Sequence, residues 1–376
     1  MAIRADYVVV GAGVHGATVA WHLAQGGREV LVLEAATVAS GASGGLGERG
    51  VRANGRDPRE LPMLPLAYEL WDELAGLIGG PTGYRRLGQL ELVEREADVR
   101  PARERAERQR RHGVPTELLD ASAVRRLEPE VADTVVAATY CPRDGVADHT
   151  ATTIAIAGAA RGAGAEVLEQ RKVTGFRARD RAVVAVQTGD QEVIVGRAVV
   201  IACNTAAADL LAPLDVHVPI FPVLPQVLVT ERVDPPPVRH LIGHAHRPLA
   251  IKVLPDHRLM VTGGRLGTWD ERDQRGVVDA AQVAANLDDA VATFPCLAGV
   301  GLSTAVADRA ESVSPDMIPI VDRLPGGTNA FLATGWSGHG WAIAPVVGRL
   351  LAEWVTSGRR PELLAPFALD RFTPPG

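Results

Sequence analysis

Cysteine is scarce in this chain of 376 residues: Cys141, Cys203 and Cys296 stand far apart, with no C-x-x-C pair. That spacing argues against a zinc site or a disulfide framework and suits a reducing cytoplasm. No uninterrupted apolar stretch reaches the roughly 20 residues that a membrane-spanning helix needs. Excess positive charge is also missing, since 39 Lys and Arg face 45 Asp and Glu for a net charge of −6. Such a balance gives no reason to expect nucleic acid or an acidic membrane as partner. The arginine-rich run at 95–111 also holds Glu96, Asp98, Glu104 and Glu107, the mixed charge of a solvated helix face. Neither an internal repeat nor a low-complexity segment is evident, and a glycine motif so near Met1 is expected of a chain without a signal peptide. The length allows two domains, or one large domain with insertions.

What is present is concentrated at the start. Val8, Val9 and Val10 read as a strand buried on both faces, followed by Gly11, Gly13 and Gly16. The glycines fall where a chain turns sharply, approaches a pyrophosphate and packs a helix on a strand. Residues 13–25 read as that helix and 30–33 as a second buried strand ending on Glu34, placed to accept a ribose hydroxyl. Strand, turn, helix, strand and acid in register predict a βαβ dinucleotide site. An acid at 34 favours FAD or NAD over a 2′-phosphorylated cofactor.

Further along, the glycine-rich loop 39–52 carries Arg49 and Arg52 and reads as backbone that lets a ligand come close. Helices are predicted over 61–78, 97–112, 118–128, 150–162, 277–294 and 342–357. Strands are predicted at 84–94, 165–169, 172–177, 182–187, 191–195, 198–203, 216–225, 226–231, 249–253, 258–263 and 329–334. The plan is a nucleotide domain, 1–80, 141–213 and 312–376, interrupted by a mainly antiparallel substrate domain from 81–140 and 214–311. The fold class is α/β, α+β overall, with a Rossmann-like domain of the glutathione-reductase type. His244 and His246 share one face of a strand, and with no third ligand evident no metal site is predicted.

A second glycine turn, Ala333-Thr-Gly-Trp-Ser-Gly-His-Gly340, again joins a strand to a helix N-terminus. A helix N-terminus there would favour the negative charge of a reduced flavin, which NAD does not need. With the Arg49-Gly-Val-Arg52 pair, Ala202-Cys-Asn-Thr and Ser314-Pro-Asp-Met-Ile-Pro-Ile-Val-Asp322, the chain resembles the D-amino-acid oxidase/glycine oxidase superfamily of FAD-dependent amine oxidoreductases. The resemblance is greatest to the monomeric sarcosine oxidase branch.

That resemblance implies FAD, with its ADP end at Gly11, Gly13, Val14, His15, Gly16, Glu34 and Ala35. Ser40, Ser43, Gly44, Arg49 and Gly50 would follow the pyrophosphate and ribityl path, and Val173, on a strand, would offer its backbone to adenine. Cys203, Asn204 and Arg309 would border the cofactor, and Gly335, Gly338, His339, Gly340 and Trp341 would meet the flavin's pyrimidine edge. The second arginine of the R-x-x-R loop grips a substrate carboxylate in the family; each arginine could instead tie the loop to its own carbonyls. Lys252 matches a flavin-facing lysine that promotes oxygen reduction, or is an edge-strand lysine facing solvent. His339 would belong to the turn that favours flavin reduction.

Two departures bear on substrate and attachment. Where the sarcosine oxidases carry the cysteine that attaches FAD covalently, this chain has Arg309, so non-covalent FAD is expected. Where they carry a lysine two residues after SGHG, it has Ala342, which thins the carboxylate clamp and points to a larger amine or a cyclic imino acid. The implied reaction is oxidation of a C–N bond in an amine or amino acid by hydride transfer to flavin N5. It yields an imine and, with oxygen, hydrogen peroxide, in a monomer or homodimer. Alternatives are a dehydrogenase with a separate acceptor, a NAD-dependent dehydrogenase, and a flavin-bearing structural subunit of a heteromeric oxidase.

Overall fold

Val8, Val9 and Val10 are buried because both faces of their strand are covered, Val9 in one hydrophobic core and Val8 and Val10 in another, while parallel strands pair with both its edges. The computed structural model describes residues 3–373 apart from 46, 190 and 327; Leu46, in the glycine-rich loop, lies outside the described residues. The elements that build the first sheet are β1 (Ile3–Val10), α1 (Val14–Gln25), β2 (Val30–Leu33), β3 (Glu166–Leu168), β4 (Gln191–Ile201), β5 (Ala330–Thr334) and α2 (Gly340–Ser357). The order β3-β2-β1-β4-β5 is parallel throughout; Ile320–Arg323 adds an antiparallel edge to β5, and Ala182–Thr188, itself paired with Gly175–Arg179, runs antiparallel to the start of β4. Because β1 and β5 run in the same direction, α1 and α2 both begin at the carboxyl edge of the sheet.

A second sheet of eight strands takes Gln89–Val93, Glu117–Asp120 and Ala137–Cys141 from one excursion. The other supplies Val227–Arg232, Leu241–His244, Ala250–Val253, Arg258–Thr262 and Leu302–Val306. All its pairings are antiparallel except Leu241–His244 with Gln89–Val93. A small sheet between the two joins Glu48–Val51 to Gly145–Asp148 and Arg85–Arg86. The glycine-rich loop and its arginines therefore run from the first sheet into this bridge.

Several predicted elements are corrected. The strands expected at 191–195 and 198–203 are one strand, β4, carried through an irregularity at Gly196, where a β-carbon would lie 2.4 Å from Asp6 Oδ1. The helix expected from 118 starts at Ala121; Asp120 caps it through Ala123 N–H, and Glu117–Asp120 is a strand. Residues 172–174 are not strand, so Val173 lies in coil before Gly175–Arg179. The helix expected at 277–294 is Ala280–Thr293, because Arg275–Val277 pairs with Thr268–Asp270.

The first core forms where α1 and α2 pack on the sheet and on each other. A glycine sets that contact. A β-carbon on Gly348 would lie 2.4 Å from Thr18 Cγ2 and 2.5 Å from its Cβ, so any side chain pushes the helices apart. Gly158, in the helix His149–Gly162, has open space instead. Gly348→Ala should therefore lower the melting temperature, costing about 1–3 kcal/mol by overpacking despite its gain in helix propensity. Gly158→Ala should stabilise by up to ~1 kcal/mol in the same thermal-melting assay. Equal shifts in the two variants would contradict this packing account.

Candidate active site

The two glycine turns meet at the carboxyl edge of the first sheet, where open α/β sheets bind ligands. Gly11, at φ 100°, lies against the end of β4: its β-carbon would come 2.6 Å from Ala202 O, and one on Gly16 would come 2.0 Å from Gly11 O. Gly13 has nothing within 4 Å, so the middle glycine faces open space. Val14 opens α1 behind it. Glu34 accepts N–H bonds from Ala12 (2.7 Å) and Ala36 (2.9 Å), which fixes its carboxylate beside the turn, with Ala35 between its two anchors. In the second turn Gly338, at φ 77°, likewise faces open space, and Gly335, at φ 67°, donates its N–H to Ser312 Oγ at 2.9 Å.

Neither α1 nor α2 has a side-chain cap or an acidic residue in its first turn. Their orphan amides and partial positive charge are thus available to an anionic ligand. His15 and Trp336 join the turns by stacking, with centroids 3.4 Å apart and planes 4° apart, and Gly340 leaves room for both rings. Burial lowers the His15 pKa to about 3, so its imidazole is neutral. These open glycines and uncapped termini fit a dinucleotide.

Arg49 and Arg52, three residues apart, have different surroundings. Arg49 donates to Ser43 O (2.9 Å), Gly45 O (2.5 Å) and Glu48 O (3.0 Å), which shapes the loop around Gly44; Gly50 follows on the bridging strand. Burial, and then the charge of Arg309, lowers its pKa to about 10. The Arg52 guanidinium makes one hydrogen bond among the described residues, to Asn54 O at 2.7 Å. Its backbone is held from the next residues, since buried Asp144 accepts from the N–H groups of Ala53 (2.8 Å) and Asn54 (3.2 Å). Ser40 turns back on Thr37 O at 2.7 Å, and Ser43 Oγ donates to Glu311 Oε2 at 2.6 Å.

Lys252 is not on an edge. It lies on Ala250–Val253, paired on both sides in the second sheet, and is 8% exposed. Burial, and then the neighbouring charge of Arg49, lowers its pKa to about 7, while Glu48 acts in the opposite direction. Glu48 is itself buried and paired with Arg85 at 2.8 Å. The chain's lysines are Lys172 and Lys252 among 39 basic residues, so the buried cation here is of the rarer type. An ammonium sheds its proton on burial far more readily than a guanidinium. Arg309 Nη1 is buried without a hydrogen-bond partner among the described residues, and its charge also helps depress His149.

His339, immediately before α2, places Nδ1 3.3 Å from Glu60 Oε2. Burial is the largest cause of its lowered pKa, with Glu60 opposing. Trp341 packs on Trp71 at 5.1 Å and against the edge of His149 at 6.1 Å; its Nε1 is buried without a partner. Asn204, at φ 52°, accepts from Ser312 N–H (3.2 Å) and donates to Ala310 O (3.1 Å), so its amide ties β4 to the segment holding Arg309. Burial raises the Cys203 thiol to about 12.

The histidine pair does have a third neighbour, which corrects the sequence reading. Glu94, His244 and His246 bring one ligand atom each within 4.8 Å of one another. Arg247 already holds Glu94 Oε2, at 2.8 Å, and His244 Nδ1 accepts from the backbone N–H groups of His246 and Arg247. That tautomer puts a proton, not a lone pair, on the His244 nitrogen facing Glu94.

Sequence reasoning missed Arg56, Glu60, Asp144, His149 and Glu311. The i, i+4 spacing of Arg56 and Glu60 is visible in the sequence, but Pro58 between them argues against a helix. The others carry no local signal, because their partners are far away in sequence.

The FAD dependent oxidoreductase family model matches residues 6–354. Sarcosine oxidase subunit beta of Arthrobacter sp is 28% identical over 98% of this chain and 91% of its own length. Glycine oxidase of Geobacillus kaustophilus (strain HTA426) is 27% identical over 99% of this chain and 98% of its own. Among solved structures, L-proline dehydrogenase from P. horikoshii superposes with a TM-score of 0.89 at 25% identity, covering 99% of this chain and 98% of that one. Arranged around two uncapped helix ends at the carboxyl edge of a parallel sheet, the chain belongs to the family of FAD-dependent oxidoreductases.

Proposed function

We propose that this amine or amino-acid oxidoreductase oxidises the C–N bond of a carboxylate-bearing amine, cyclic imino acids included, and acts as an oxidase. The observation that carries the reading is Arg52: a backbone-anchored guanidinium with one hydrogen bond of its own, set beside buried Lys252. FAD, when bound, supplies the two-electron acceptor. The residues to hold it are the glycine turns with Glu34 at one end and the 335–340 turn with the α2 amides at the other. Arginine at 309, where a covalent link would need cysteine, supports non-covalent attachment.

Arg52 orients the substrate by its carboxylate, since a guanidinium fork accepts both oxygens at once. Orientation is the main demand on the protein, because a neutral amine needs no strong base once its C–H is correctly aimed. Arg49, engaged by three carbonyls, shapes the loop instead of gripping substrate. Lys252 supplies a fixed positive charge to oxygen as that molecule takes on negative charge. A second reading, a flavin-bearing subunit that assembles with a partner subunit, is favoured by the likeness to sarcosine oxidase subunit beta across nearly the whole chain.

Two outcomes test this reading. Mixed anaerobically with the FAD-loaded protein, sarcosine or L-proline should bleach the visible band and pyrrolidine should not. Arg52→Met should raise the concentration needed by about 30-fold or more, the effect of losing a buried charge partner. Bleaching by pyrrolidine as readily as by L-proline would remove the clamp.

The second outcome concerns pH. Lys252 is protonated below its pKa of about 7, so the reaction of the reduced protein with oxygen should slow as pH rises past that point. Negative charge on the reduced cofactor would move the step upward. Lys252→Met should abolish the step and slow oxygen consumption on the order of 10²-fold or more. Oxygen reactivity unchanged in Lys252→Met on stopped-flow mixing would remove Lys252 from the oxygen step, and reduced wild-type protein that does not react with oxygen would sink the oxidase assignment.

A further inference from the structure

Arg56 makes an unusual set of bonds. It donates from Nε to Arg52 O at 2.6 Å, from Nη1 to Glu60 Oε1 at 2.8 Å and from Nη2 to His339 O at 2.7 Å. The Arg56 and Glu60 side chains are 2% and 0% exposed. Glu60 turns its other oxygen towards His339 Nδ1, 3.3 Å away. One buried ion pair thus connects the carbonyl of the clamp arginine with the carbonyl of His339, the residue immediately before α2. These two residues are far apart in sequence and have no other connection through a single side chain among the described hydrogen bonds.

A buried ion pair is a poor way to gain stability alone, because desolvation cancels much of its attraction. What a guanidinium offers here is direction: three fixed N–H vectors reach three acceptors that an apolar plug of similar volume would leave unpartnered. Both carbonyls belong to backbone beside the site, and neither Arg56 nor Glu60 is open to solvent. We propose that Arg56, with Glu60 as counter-ion, is a positioning residue that holds the Arg52 clamp and the 335–340 turn in register with one another. Substrate carboxylate and flavin edge are then presented at a fixed separation. The proposal rests on the reading of Arg52 as the carboxylate clamp.

The test uses FAD-loaded protein and benzoate as a carboxylate probe, followed through the visible flavin spectrum. Arg56→Lys keeps the charge but cannot reach three acceptors. It should weaken benzoate binding at least tenfold while FAD stays bound. In an Arg52→Met background the same change should add less than twofold, because its effect passes through Arg52. Benzoate binding within twofold of wild type, or a tenfold loss that persists without Arg52, overturns the proposal.

Glu60→Gln provides a second, isosteric probe should Arg56→Lys fail to hold FAD. It preserves an acceptor for Arg56 and removes one negative charge beside His339. The flavin midpoint potential should rise, as the positive charges of Arg52 and Arg56 lose their balance, and an unchanged potential overturns the proposal. If wild type binds no carboxylate, the substrate reading fails, and the Glu60→Gln potential alone decides the role of the pair.

Discussion

Close approach of α1 to α2 is the constraint from which the rest of the site follows. The helices come from opposite ends of the chain, yet β1 and β5 run the same way in one sheet, so their N-termini reach the same edge. Thr18 occupies the space a side chain at Gly348 would need, and His15 and Trp336 occupy that at Gly340. Larger residues at either position would separate the two sets of orphan amides. A helix end attracts anions only within about a turn, so a ligand spanning both ends requires this closeness. The residues that make the ligand site are therefore also part of the main core.

Positive charge on the other wall is arranged by division of labour. Arg49 satisfies loop carbonyls, the Arg52 guanidinium makes one hydrogen bond among the described residues, and Lys252 stands buried nearby with a weakened hold on its proton. Glu48 opposes the effect of burial and of the arginines on Lys252. Relatives of this chain include both an oxidase and a dehydrogenase of similar fold, so the fold alone does not select the electron acceptor. On the oxidase reading proposed above, the local charge around Lys252 is where that selection would be made.

Much of this was legible in the sequence, for identifiable reasons. Three β-branched residues before a glycine turn, an acid after the second strand and a repeat of the turn near the end are local patterns, and the structure brings both turns together. Lys252 was ambiguous because edge and centre strands look alike in sequence; only the pairing of Ala250–Val253 on both sides separates them. Val173 and the start of the 118–128 helix were misread because a short apolar run and a capping aspartate fit two structures equally well. Asp144 and Glu311 were invisible because each gains its meaning from a partner that tertiary folding delivers, and the Arg56–Glu60 spacing was visible but Pro58 argued against the helix that would pair them. Glu311 meets Ser43 across 268 residues, and burial then moves its carboxyl up to about 7.

The central claim is that the two helix ends and glycine turns hold FAD without a covalent link. The most direct measurement is the visible absorbance of purified protein, incubated with FAD, before and after acid precipitation. The account predicts a flavin spectrum that moves entirely into the supernatant. A chromophore that stays with the pellet would contradict the assignment at Arg309, and a protein that takes up no flavin would contradict the site itself.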